Sequence, residues 1–123
     1  MRATDEEEST MTHWMISFPS GEMRFEEHEF EDVVRESHQV VHDMKAAGVY
    51  LTAGGVDESV PPVRVSADGV ETPGTYPQTA RLEGGYTIID VPTREEAVAW
   101  AARIAAACRC DQELRAFQDD PDA

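Results

Sequence analysis

Positive charge is scarce in this chain: Lys and Arg number 10 against 25 Asp and Glu, a formal net charge of −15. A surface of that sign repels phosphate backbones, which argues against nucleic acid as a partner. Cysteine is scarce too, and two in 123 residues cannot form a disulfide-rich scaffold. No apolar run approaches the roughly 18–20 residues that a membrane span needs. The start, Met1-Arg2-Ala3-Thr4-Asp5-Glu6-Glu7-Glu8, has no apolar core of a secretory leader. These absences predict a cytoplasmic protein with neither membrane nor nucleic-acid partners. What is present is ordinary globular material, 41% hydrophobic and 28% charged, so wholesale disorder is excluded and the length fits one domain.

The acid is spread through the chain. The first ten residues contribute −3 and residues 119–123 another −3, so −9 of the −15 remains in the body. Residues 1–11 are expected to be an acidic, poorly ordered extension, with Met11 a plausible alternative start. The folded domain is expected over residues 12–118, followed by an acidic tail at 119–123. Solubility accounts for the acidity. Lys45 is the sole lysine among the 10 basic residues, and the arginines supply rigid forked donors suited to carboxylates.

His13–Phe18 alternates and is rich in β-formers, which predicts a first strand closed by Pro19-Ser20-Gly21. From about Glu27 to Ala47 the apolar residues Phe30, Val33, Val34, Val40, Val41 and Met44 fall on one helical face. Gly48 ends that helix. Val49–Ala53 and Pro62–Ala67 read as the second and third strands, each followed by turn glycines, Gly54-Gly55 and Asp68-Gly69. Residues 70–83 hold Pro73, Gly74 and Pro77 without lasting periodicity and are expected to be loop. Gly85–Val91 is the clearest strand, and Gly84-Gly85 reads as a turn pair before it. Thr93-Arg94-Glu95-Glu96 has capping-box form and opens a second helix to about Cys108. Its stripe is Ala97, Trp100, Ala101, Ile104 and Cys108, and Gln112–Phe117 is a last short strand.

The order β-α-β-β-α-β is the split βαβ, ferredoxin-like arrangement: an α+β domain whose antiparallel sheet carries two helices on one face. The other face keeps large or apolar groups such as Met15, Tyr50 and Ile89 or their alternates, depending on register. A small domain does not leave such a face wet, so a homodimer paired through its sheets is expected.

Several short blocks carry a resemblance. They are Trp14–Gly21, His38 through Ala46-Ala47-Gly48-Val49, Pro62-Val63-Arg64-Val65 with Ala67-Asp68-Gly69, Gly84–Pro92, and Trp100-Ala101-Ala102 followed by Cys108-Arg109-Cys110. In order and spacing over residues 12–118 the chain resembles the YCII-related domain proteins, closest to the DGPF-type subgroup with its many bacterial members. The resemblance implies a dimeric α/β barrel. For members with an assigned activity it implies lyase- or dehydrochlorinase-like chemistry, with a helix-borne His as the acid–base residue. Arg35-Glu36-Ser37-His38 is similar to that motif, which makes His38 the candidate catalytic residue. The DGPF signature falls at Pro73-Gly74-Thr75-Tyr76, where Gly74 matches and Tyr76 is a related aromatic; alanine fills 105–107, where the acidic partner of that His is sought.

At the edge of its helix's apolar stripe, His38 is placed either to face a pocket and move a proton near neutral pH or to serve as a hydrogen-bonded boundary residue. Arg64, Tyr76 and Asp90 are the candidate pocket residues, Arg64 and Asp90 as groups able to fix the imidazole's tautomer. Tyr76 sits in the long 70–83 loop, a lid or a dimer-contact arm. His38 and His42 share a helix face at the spacing of metal ligands but lack a third, so no metal is expected. No cofactor is expected either, since neither glycine pair leads directly into a helix. Cys108 reads as a buried small hydrophobe and Cys110 as a turn residue. Two functions remain open: an enzyme of lyase or isomerase type moving a proton on a small organic acid or phenol through His38, and a non-catalytic ligand-binding or accessory dimeric module.

Overall fold

The computed structural model describes residues 11–122; the expected acidic extension therefore lies outside the described residues apart from Met11. Two long strands form its centre. β1 (Thr12–Pro19) and β5 (Gly84–Val91) pair antiparallel along their full length, Thr12 opposite Val91 and Pro19 opposite Gly84. β2 (Tyr50–Gly55) flanks β5 and β6 (Glu113–Ala116) flanks β1, both antiparallel, giving the sheet order β2-β5-β1-β6. β1 and β2 therefore run parallel with β5 between them, and β5 and β6 run parallel with β1 between them. Each parallel pair is joined by a crossover helix, α1 (Phe30–Ala46) or α2 (Arg94–Cys108).

Alternation decides what each strand buries. Ile16 on β1 and Thr87, Ile89 and Val91 on β5 point to the helices and are buried. Val33, Val40 and Met44 of α1 meet them, together with Ala97, Ala101, Ile104, Ala107 and Cys108 of α2. The run of alanines lets α2 lie close, since each adds little bulk between backbone and sheet. Thr93 caps α2 as expected, its hydroxyl accepting from Glu96 N at 3.1 Å. The Thr93 hydroxyl in turn donates to the Glu96 carboxylate at 3.3 Å, which does not reach back to the backbone. The reciprocal capping box occurs elsewhere, between Glu26 and Glu29, on a 3₁₀ turn over Glu27–Glu29 that replaces the expected first turn of α1. Phe30, expected on the buried stripe, is 56% exposed.

Three other expectations need correction. The third strand shrinks to β3 (Val63–Val65) and leaves the main sheet. It pairs instead with β4 (Glu71–Pro73), inside the stretch expected to be loop, in a separate two-stranded arm. Asp68-Gly69 makes the turn between them, with Ser66 hydrogen-bonded to Asp68 and Gly69 N donating to Ser66 O at 2.9 Å. The glycine pairs are the third correction. Gly54-Gly55 and Gly84-Gly85 lie inside β2 and β5, and Gly55 is opposite Gly85.

Gly84 and Gly85 are required by close approach. Gly84 has φ +134°, and a Cβ there would stand 1.9 Å from the Phe18 carbonyl oxygen; at Gly85 it would stand 2.6 Å from the Phe18 ring. Gly54 has open space around the same position. Gly84→Ala is therefore expected to cost about 3 kcal/mol or more, and Gly54→Ala less than about 0.5 kcal/mol, measured by urea unfolding. Equal costs at the two positions would show that Phe18 does not fix the β1–β5 junction.

Candidate functional site

A cleft of about 590 Å3 lies between α1 and the β2–β5 side of the sheet. Val33, Val34, Ser37, His38, Val40, Val41 and Met44 line it from α1. Ala53, Gly54 and Gly55 line it from β2, and Gly84, Gly85 and Thr87 from β5. The paired glycines contribute to the opening, since the sheet there carries no side chains. Phe18, Met23, Phe30 and Tyr50 add large apolar walls. Polar groups are few, and they are the ones able to orient a ligand.

His38 is among them. It borders the cleft from an exposed position on α1, one residue after Ser37, whose hydroxyl is taken up by Val34 O at 3.0 Å. At the mouth stand Ser20 and Glu58, with the Ser20 hydroxyl donating to Glu58 Oε2 at 2.8 Å. The loop that carries Glu58 is fixed at both sides. Val56 N donates to Gly84 O at 2.8 Å. Ser59 donates to Asp57 Oδ1 from its hydroxyl at 2.6 Å and from its backbone at 3.0 Å. The hydroxyl bond above all, with the backbone bond, holds the Asp57 carboxyl below its ordinary range.

Cys108 lines the cleft from the last turn of α2 and is 7% exposed. Burial pushes its thiol up to about 11, helped by the neighbouring Cys110 and opposed by Arg109. A neutral thiol is thus what Cys108 presents at physiological pH, a packing group and not a nucleophile. Arg109 takes a left-handed conformation, φ 63°, where the helix ends. Its guanidinium donates to Glu36 Oε1 at 2.7 Å and to the Ala106 and Ala107 carbonyls, tying the end of α2 to α1.

The other expected site residues are not brought to His38. Arg64 and Tyr76 lie on and beside the β3–β4 arm, where the Arg64 guanidinium sits 5.7 Å from the centre of the Tyr76 ring. Neither lines the cleft, and Tyr76 is 64% exposed. Asp90 is on the opposite face of the sheet from Ile89 and Val91. Its cross-strand partner there is His13, whose Nε2 stands 3.7 Å from Asp90 Oδ1. Asp90 Oδ1 is buried without a hydrogen-bond partner among the described residues. His42 is exposed, and no three His, Cys, Asp or Glu side chains gather as a metal site among the described residues. Sequence reasoning missed Glu58 and Ser20, which lie in aperiodic segments; the glycine pairs were the one signal of an open strand end. No helix among the described residues is long and apolar enough to cross a membrane. Comparison with known proteins finds no matching family model and no match among curated proteins.

The buried thiol has a consequence for pH. Its folded pKa lies above the ordinary value of 9.0, so the native state favours the protonated form. The stabilisation is full below pH 9 and is lost as pH rises toward about 11. Cys108→Ala is expected to lose less stability than the parent chain between pH 9 and 11, read from denaturant midpoints. Parallel losses would mean that the thiol is not buried in solution.

Proposed function

We propose that this is a small-molecule-binding protein of ferredoxin-like fold, working as a homodimer, with the cleft beside His38 as its binding site. The cleft carries this reading: about 590 Å3, walled mainly by aliphatic and aromatic groups, with a handful of polar side chains at its edges, the usual composition of a ligand site. The two split crossovers and the order β2-β5-β1-β6 support the ferredoxin-like assignment. The sheet face away from the helices supports the homodimer, since Met15 and Ile88 pair there, half-buried, on the side that neither helix covers. The arm adds exposed Val63, Val65 and Val70, and apolar surface of this kind favours association. The kinship to YCII-related proteins of DGPF type stays part of this proposal and rests on the short sequence blocks alone.

Proton transfer through His38, of lyase or isomerase type, is a second reading. The observation in its favour is that His38 borders the cleft. Against it, the carboxylate that pairs with a histidine among the described residues is Asp90 with His13, on the other face of the sheet. Binding without chemistry is therefore the better-supported function.

A thermal-shift screen of small organic molecules tests the site, because a ligand of the native state alone raises the midpoint by mass action. Ala53→Leu, which fills the cleft from β2, is expected to abolish the shift while moving the unliganded midpoint by only a few degrees. A hit that survives Ala53→Leu would place binding elsewhere. His38→Ala is expected to leave stability within about 1 kcal/mol and, if the second reading holds, to abolish turnover of a bound compound. Light scattering tests the assembly. A mass near 27 kDa, about twice the chain's 13.6 kDa, is expected, and a monomer at high micromolar concentration would overturn the homodimer.

A further inference from the structure

We infer that the cleft selects a small organic cation, an apolar body carrying a protonated amine, over an acid of the same shape. This rests on the reading of the cleft as a ligand site and concerns which ligands it takes. The charges at the cleft point one way. No Lys or Arg lines it, and its one carboxylate, Glu58, stands at the mouth. That carboxylate is held: Ser20 donates to Oε2 at 2.8 Å, which leaves Oε1 and the remaining lone pairs for a second donor. Glu58 is exposed, so an ammonium can meet it without either charge losing all of its water, while the attached apolar body enters the cleft. The full desolvation cost of a buried ion pair is thereby avoided.

The wall also accepts ammonium groups. Lys45, which does not line the cleft, holds its Nζ 5.1 Å from the centre of the Tyr50 ring, and Tyr50 is a wall residue. Tyr50 thus shows the attraction of such a ring for an ammonium, and with Lys45 already on it a ligand's ammonium finds its aromatic partners elsewhere on the wall. Phe18 and Phe30 present further aromatic surface. At longer range the net charge of −15 concentrates cations near the molecule and repels carboxylates. An acidic ligand would have to enter past Glu58 with no Lys or Arg in the lining to receive it.

The test uses the full chain and three probes of one shape: 1-naphthylmethylammonium, the neutral 1-naphthylmethanol and 1-naphthoate, followed by calorimetry at low and moderate salt. The ammonium is expected to bind up to about fivefold more tightly than the alcohol, as a close exposed charge pair allows, and the naphthoate more weakly than either. Glu58→Gln is expected to remove that advantage and leave the alcohol unchanged. If the alcohol and the ammonium bind alike, or the ammonium's advantage survives Glu58→Gln, the cation selectivity is overturned while the cleft stands as a site. If the naphthoate binds best, the selectivity is likewise overturned. If none of the three binds, or binding survives Ala53→Leu, the reading of the cleft itself fails, and the selectivity with it.

Discussion

The main sheet and both helices are hung on the pairing of β1 with β5. These are the two interior strands of the main sheet, and they match residue for residue from Thr12–Val91 to Pro19–Gly84. Their inward side chains, Ile16, Ile89 and Val91, are among the most deeply buried in the molecule. Both helices pack over this pair, and both edge strands take their register from it. The pair closes at one end only because Gly84 and Gly85 yield space to the Phe18 backbone and ring. That same lack of side chains leaves Gly54, Gly55, Gly84 and Gly85 as part of the cleft's lining. One packing constraint thus both completes the central ladder and opens the cleft.

Charge is partitioned as sharply as hydrophobicity. Two arginines join the helices: Arg109 ties the end of α2 to Glu36, and Arg103 pairs with Asp43 across the helices while lying 5.2 Å from the Trp100 ring centre. The Asp43 carboxyl is held below its ordinary range by its hydrogen bonds to Arg103 and Gln39. With these cations committed to helix–helix contacts, the cleft is left with Glu58, His38 and neutral groups. Its electrostatic character follows from where the few positive charges are used.

The elements that were legible in the sequence are those with an unbroken period. β1, β5, α1 and α2 were readable to within a few residues because alternation or a helical stripe runs through each. The arm was not, because Val63–Val65 alternates like any strand while its partner, Glu71–Pro73, is short and contains a proline. Pairing partners of that kind leave no periodic trace. At the site, His38 was readable from its place at the edge of the α1 stripe. Asp90 was an expectation that parity could have removed, since Ile89 and Val91 must face the helices and Asp90 therefore cannot. Glu58 and Ser20 gave no signal, because their meeting depends on a hydrogen bond between segments far apart in the chain.

The topology of the central pair also sets an order of events in time. β1 leaves the ribosome first, yet its two neighbours in the sheet are β5 and β6, which follow after both α1 and the whole β3–β4 arm. Until residue 91 has emerged, β1 has neither edge paired, and Ile16 and Phe18 have α1 but not the neighbouring strands to close against. Helices form from local contacts within about a microsecond, whereas ladders between distant segments wait on the closure of a long loop. The arm lengthens that loop at little thermodynamic cost, since doubling a loop adds only about 0.6 kcal/mol. Its cost is kinetic: a nascent chain truncated before β5 can close the local β3–β4 arm but none of the ladders of the main sheet, so the main sheet must assemble late and nearly all at once.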